Sequence, residues 1–227
     1  MLLEDIILLN FKLFGYPMDF TLSMLIQCIV TIFIVFLILF FSRNLKKFPD
    51  RRQSVAEIFV ETVDKLIKDN MGDKFRGFIP FFGTLSVYII LLNLVGLFGI
   101  KPPTTDYNVA LGLGLISFIV IQGYTIKKIG VAHYFLGYAK PISILLPINI
   151  LERIAFPISL SLRLFGNMFA ATMIMDLIYS GLGSVSPIAE IGIPIFFHGY
   201  FDIFDGTLQM VIFIMLTMIN VKIISEH

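Results

Sequence analysis

The sequence contains long runs of apolar residues with few or no charged side chains, and these runs limit the chain to structures that a bilayer can hold. The runs occupy residues 20–41, 78–100, 109–125, 148–180 and 195–224, and the first of them has no charged residue. A helix needs about 20 apolar residues to cross the hydrocarbon core. We therefore predict an all-α integral membrane protein with five membrane-embedded helices in a single membrane domain, residues 1–227.

The composition agrees with this class and excludes several others. The chain has 227 residues, of which 57% are hydrophobic and 15% charged, and its mean hydropathy is +0.91. A net charge of +1 leaves no basic excess for binding nucleic acid. The lone Cys28 excludes an internal disulfide, and no metal-ligand spacing joins the three histidines, His133, His198 and His227. No hydrolase, zinc-protease or nucleotide-binding motif is present, so we predict no metal site, no cofactor and no enzymatic activity.

A basic cluster after the first run predicts the orientation of the chain. Only Asp50 opposes the five cations, Arg43, Lys46, Lys47, Arg51 and Arg52. Basic loops stay in the cytoplasm, so we expect the N-terminus outside and, after five spans, the C-terminus in the cytoplasm.

Residues 53–74 have a different pattern, in which apolar residues recur at helical spacing and charged residues fill the other positions. This pattern predicts an amphipathic helix along the cytoplasmic membrane interface. A helix packed on a soluble partner is the alternative. In the third run, Gly112 and Gly114 favour close helix packing over a nucleotide-binding loop, because no strand precedes them.

The last two runs are too long for upright spans. At about 1.5 Å per residue, residues 148–180 form a helix roughly 50 Å long, whereas the hydrocarbon core is about 30 Å thick. Residues 195–224 repeat the problem at roughly 45 Å. We therefore predict that both helices are strongly tilted, or that the first of them bends at Pro157.

Polar residues inside these two helices are the candidate functional residues, because they are costly in a membrane. Arg163 has no acidic neighbour within one helical turn, and Ser159 and Asn167 lie one turn to either side on the same face. One interpretation is that a carboxylate on another chain pairs with Arg163. The other is that its side chain reaches an interface for water.

The last run carries a polar stripe at positions i, i+4, i+7 and i+11, formed by His198, Asp202, Asp205 and Gln209. These positions share one helical face. They predict a hydrated ion path, and a structural polar seam between helices is the alternative. Asp176 is either a second ionisable relay or an interfacial charge.

The segment Ser159-Leu-Ser-Leu-Arg-Leu-Phe-Gly-Asn-Met168 resembles the signature of subunit a of the rotary F-type ATP synthases. The resemblance extends in order along nearly the whole chain. Its other parts are Pro80-Phe-Phe-Gly-Thr84, Asn93-Leu-Val-Gly96, Asp106-Tyr-Asn108, Leu208-Gln209 with the apolar run to Thr217, and Ser225-Glu-His227.

The resemblance implies a role for each matching residue. Arg163 corresponds to the essential arginine that faces the rotating ring of c subunits, and Asn167 to an asparagine one turn beyond it. Gln209 corresponds to a glutamine beside that arginine, and Asp202 to a position that carries His or Glu in other members. Thr172 departs from the family, which usually has Glu there. Asp176, one turn further along, is a candidate substitute.

The resemblance also implies a place in the cell and a set of partners. These are a bacterial plasma membrane, its lipid, the c-ring, the b subunits of a peripheral stalk and a catalytic head; the chain itself is non-catalytic. The family's last two helices lie tilted against the ring. Two alternatives remain, a self-contained secondary transporter or channel and a purely structural anchor. Whether the coupling ion is a proton or sodium stays open, as do ring size and source.

Overall fold

A computed structural model describes residues 7–13, 16–43, 46, 50–131, 146–183 and 187–226. It begins with an antiparallel hairpin of strands β1 (Ile7–Leu13) and β2 (Tyr16–Thr21). The apolar pattern did not predict this hairpin. Helix α1 (Leu22–Ser42) follows directly, and the Thr21 hydroxyl accepts a hydrogen bond from the Met24 backbone amide at 3.4 Å, which caps its first turn.

Helix α1 packs on the rest of the protein through one narrow row of residues. Ile26, Val30 and Ile34 are buried against Leu92, whereas most of its other large apolar side chains are exposed. An exposed apolar surface of this kind suits a helix whose remaining faces contact lipid.

Helix α2 (Arg51–Asn70) carries apolar residues in two rows rather than one. Val63 and Ile67 are buried in the core of the bundle, while a second row, Val55, Ile58, Phe59 and Leu66, is exposed. The helix therefore packs on its own chain. Its place at the membrane interface stays a prediction.

A short 3-10 turn (Asp73–Phe78) connects α2 to helix α3 (Ile79–Leu94), and an ion pair fixes the turn. Arg76 donates through Nε and Nη2 to the two carboxylate oxygens of Asp64, at 3.0 and 2.9 Å. At the far end, α3 continues into a 3-10 segment, Val95–Phe98, and a further turn, Pro103–Thr105, leads to helix α4 (Tyr107–Ile129).

Helix α5 (Leu146–Gly183) has 38 residues and runs through Pro157 without interruption. Residues 195–224, predicted as one last helix, lie in three consecutive elements: helix α6 (Pro187–His198), a π-helical segment (Gly199–Asp205) and helix α7 (Gly206–Glu226). The strong tilt of both, and a bend at Pro157, stay predictions. Lys140 and His133 lie outside the described residues.

Five segments of the described residues are long and apolar enough to cross a membrane, as the fold class requires: Leu22–Ser42, Asp73–Phe98, Tyr107–Lys128, Leu146–Gly183 and Gly192–Ile224. Their common core contains residues from α2, α3, α4, α5 and α7. Its largest fully buried side chains include Phe75, Phe82, Ile89, Ile121 and Leu164. The chain is thus an all-α membrane protein with a small additional hairpin.

Close packing of α4 on α5 depends on a single glycine. A Cβ atom at Gly114 would lie 2.8 Å from the carbonyl oxygen of Pro157 and 3.4 Å from Ser161 Cβ. At Gly112, two residues earlier on the same helix, a Cβ would meet nothing within 4 Å. The close packing expected for this glycine pair is therefore a property of Gly114.

This difference gives a direct test of the α4–α5 contact. Gly114→Ala should lower stability by about 1–3 kcal/mol, because backbone rather than a flexible side chain must move. The matched control is Gly112→Ala, which should be neutral or slightly stabilising, because alanine is the better helix former. Thermal unfolding of both variants in detergent micelles measures the effect. Equal midpoints for the two would contradict this packing.

Candidate functional site

Helix α5 has a buried face and an exposed face, and the candidate residues are on the exposed one. The buried row recurs at helical spacing and consists of Pro157, Leu160, Ser161, Leu164, Met168, Ala171 and Met175. Ser159, Arg163 and Asn167 are exposed. Because these three residues lie one turn apart, they form a polar strip on the side of α5 that faces away from the bundle.

Arg163 has no counter-charge in the part of the chain that the structure describes. No ion pair and no hydrogen bond to its guanidinium is present among those residues. A guanidinium keeps its charge at any working pH, so it requires either water or an anion. Neither of the two interpretations of Arg163, an anion on another chain or water at an interface, is decided by the contacts of the described residues.

Three side chains from two helices and the π segment form a hydrogen-bonded chain. Tyr179, near the end of α5, has its hydroxyl oxygen 2.9 Å from His198 Nε2, and His198 Nδ1 lies 2.6 Å from Asp202 Oδ2. When the carboxylate accepts from Nδ1, Nε2 of the neutral ring accepts from the tyrosine hydroxyl. Tyr179 is exposed, His198 partly buried and Asp202 5% exposed, so the chain leads from the surface to a buried carboxylate.

The π segment sets the position of this carboxylate. The Gly206 backbone amide bonds to the carbonyl of Phe201, five residues earlier, as well as to that of Ile203. Such wide turns are rare and are often found at functional sites. Asp202 lies within the segment and points into the protein.

Asn93 holds the π segment against α3. Its Nδ2 atom donates to the carbonyl oxygen of Gly206 at 3.0 Å, and its Oδ1 atom accepts from the Thr104 hydroxyl at 2.9 Å. Asn93 and Thr104 are fully buried. Sequence reasoning singled out neither Thr104 nor Tyr179 for the site. The sequence offered one signal for a role of Asn93 in the site, which is that it is the lone side-chain amide in an apolar span.

The remaining candidates occupy separate environments. Gln209 is buried, and Asp205 and Asp176 are partly buried. Thr172 is partly buried, and its hydroxyl donates to the Met168 carbonyl of its own helix at 2.9 Å. Of the predicted polar stripe, the structure brings His198 and Asp202 into contact. No cluster of three metal-ligating side chains occurs among the described residues.

Comparisons with known proteins identify relatives along most of the chain. A family model described as the ATP synthase A chain matches residues 22–222. The sodium ion specific ATP synthase subunit a of Propionigenium modestum is 30% identical over 225 residues, covering 92% of this chain and 75% of that protein. ATP synthase subunit a of Staphylococcus aureus strain JH9 is 36% identical over 237 residues, covering 97% and 98%.

The Asn93 contact can be tested with a shape-conserving change. Thr104→Val should lower stability by about 1 kcal/mol, because it leaves the buried Asn93 oxygen without its donor. Thr84→Val is the control, since Thr84 is exposed. The midpoint of thermal unfolding in micelles should fall only for the first variant. A fall of the same size in both would show that the Thr104–Asn93 bond does not hold this region.

Proposed function

This chain belongs to the ATP synthase subunit a family, and from that premise we propose that it is the ion-translocating stator of the membrane motor. It is a multi-pass component of the Fo sector. In the proposal, it presents two aqueous half-channels, one from each side of the membrane, to a ring of c subunits. Ions enter by one, travel with the ring and leave by the other.

The observation that carries the proposal is that Arg163 is exposed on the outward face of α5 and has no counter-charge among the described residues. A ring subunit would bring a carboxylate to this face in each step of rotation. That carboxylate must be neutral in lipid, by protonation or by binding a cation, because a bare charge there is costly. Opposite Arg163 its charged form is favoured, so the ion is released and direct leakage between the half-channels is blocked.

The energies involved require that the pairing between Arg163 and the ring carboxylate is transient. At 4 Å and an effective dielectric constant of about 20, the attraction is about 4 kcal/mol. One charge moving through the membrane potential supplies only about 2.3 kcal/mol per 100 mV. Desolvation of the pair and hydration in the channel must offset most of the attraction, or rotation would stall. Asn167, one turn along the same exposed strip, contributes a polar surface to the ring contact.

The hydrogen-bonded chain of Tyr179, His198 and Asp202 is the proposed wall of the outer half-channel. It starts at an exposed hydroxyl and ends at a buried carboxylate, as an ion path through a membrane requires. Asp176, three residues before Tyr179, is placed with it. We place Gln209, in the next element α7, further along the same proposed path towards Arg163.

The distribution of basic residues supports the proposed orientation. Lys128, at the end of α4, has its Nζ atom 5.4 Å from the centre of the Phe75 ring, which follows α2. The basic end of α4 therefore lies beside the turn that follows α2. By the positive-inside rule that end faces the cytoplasm of a bacterial plasma membrane, and the chain starts outside.

In this role the chain is non-catalytic and works only within the complex, with the c-ring, b subunits of the peripheral stalk and the catalytic head. A proton and a sodium ion both fit the mechanism, because the ring carboxylate selects the ion. ATP-driven uptake by proteoliposomes, compared with and without sodium and with a protonophore, separates the two.

Arg163→Ala should abolish ATP synthesis and ATP-driven ion uptake in membranes that contain the assembled complex. Its removal deprives the ring carboxylate of the charge that favours ion release. The control is Lys65→Ala, which removes one exposed positive charge from α2, outside the five spans, and should keep coupled uptake. Normal coupled uptake by the Arg163 variant would rule out the proposed role.

Asp202→Asn should slow coupled ion flux at least about tenfold while the complex still assembles, because an amide keeps the shape but cannot exchange a proton. Flux in reconstituted vesicles and subunit composition on a gel measure the two effects separately. Wild-type flux in this variant would mean that the polar stripe is a structural seam.

A further inference from the structure

Gly96 lies directly beneath the carboxylate of Asp202. A Cβ atom built on Gly96 would be 2.5 Å from Asp202 Oδ1, 2.7 Å from Cγ and 2.8 Å from Oδ2. Real Cβ atoms essentially never come this close to other atoms. The Asp202 carboxylate thus occupies the volume that any other residue at position 96 would fill with its own side chain.

Space, not backbone conformation, is the reason for a glycine here. The positive φ angles among the described glycines are at Gly72, Gly99 and Gly130, and Gly96 has an ordinary backbone conformation. Gly96 is buried in the 3-10 segment at the end of α3, so its surroundings cannot simply move into solvent. An added methyl group would have to displace the carboxylate.

The same stretch of α3 holds Asp202 from two directions. Three residues before Gly96, Asn93 donates to the carbonyl oxygen of Gly206, which lies just beyond the π segment. Gly96 packs against the Asp202 carboxylate, and His198 Nδ1 lies 2.6 Å from Asp202 Oδ2. The backbone near Asp202 and one oxygen of its carboxylate are both held by hydrogen bonds, and Gly96 packs against the carboxylate. The position of the carboxylate is therefore fixed.

We propose that Gly96 is the positioning residue of Asp202, and that ion transfer depends on a carboxylate in this shared space rather than on which of the two residues carries it. This inference rests on the proposed function, because it assumes that Asp202 takes part in ion passage. Gly96 itself does not touch the ion. It acts by leaving room for the acid.

The first test is Gly96→Ala in the complete complex, reconstituted into proteoliposomes. ATP-driven ion uptake should fall at least about tenfold, since shifts of about 1 Å in a reacting group can cost far more than that. The matched control is Gly83→Ala in the preceding helix α3, where a Cβ would meet the Phe59 ring at an ordinary 3.5 Å. Uptake by the Gly83 variant should stay near that of the unmodified complex. Normal uptake by the Gly96 variant would overturn the proposal.

The second test exchanges the two side chains in the double variant Gly96→Asp/Asp202→Gly. The exchange conserves the atoms, the volume and the charge in the shared space. It should give several-fold more uptake than Asp202→Gly alone. A double variant no more active than Asp202→Gly alone would overturn the proposal.

A third variant separates packing from chemistry. Gly96→Ala/Asp202→Gly removes the overlap, so it should assemble even where Gly96→Ala does not, yet it should show no more uptake than Asp202→Gly alone. Recovery of uptake without any carboxylate would overturn the proposal.

These outcomes also distinguish the two levels of inference. Full uptake by Asp202→Gly alone would contradict the proposed function of Asp202. Loss of uptake in that variant together with normal uptake in Gly96→Ala would leave the function standing and overturn only the positioning role.

Discussion

Hydrocarbon offers no hydrogen bonds, so every polar group that a membrane helix carries must find its partner within protein or trapped water. Most spans of this chain obey that requirement locally. The hydroxyls of Thr125, Thr172 and Thr217 donate to carbonyl groups of their own helices. Asn93 is satisfied across helices, and Asp202 by His198, four residues earlier in the chain. Arg163 is exposed and has no counter-charge among the described residues, so within them its guanidinium has no partner of this kind.

This contrast separates two regions of the protein: a fixed part, in which polar groups pair with one another, and the exposed face of α5, which carries Arg163. In the fixed part, hydrogen bonds join Thr104, Asn93 and the backbone of Gly206. The missing side chain at Gly96 leaves space for the buried Asp202 carboxylate. On the exposed face of α5, Ser159, Arg163 and Asn167 lie opposite the row of side chains that packs in the core. In the proposed function, the fixed part would hold the ion-conducting groups and this exposed face would meet the rotor.

How far the fold could be predicted depends on the kind of signal. The five spans required only length and hydropathy, and the described helices occupy these regions. The N-terminal hairpin was missed because two short strands in an apolar sequence have no periodicity that separates them from a helix. The π segment was missed for a related reason. The segment is short and lies inside a long apolar run, and apolar composition does not separate π turns from α turns.

The sequence by itself determined that the chain is a membrane protein and that Arg163 has no acidic neighbour within one helical turn, since both depend only on residues close along the chain. Tertiary structure alone decided that Tyr179 reaches His198, that Asn93 bonds to the backbone at Gly206, and that Gly96 makes room for Asp202. These contacts join residues from different helices. Helix packing brings them together, and no local periodicity encodes how two helices meet.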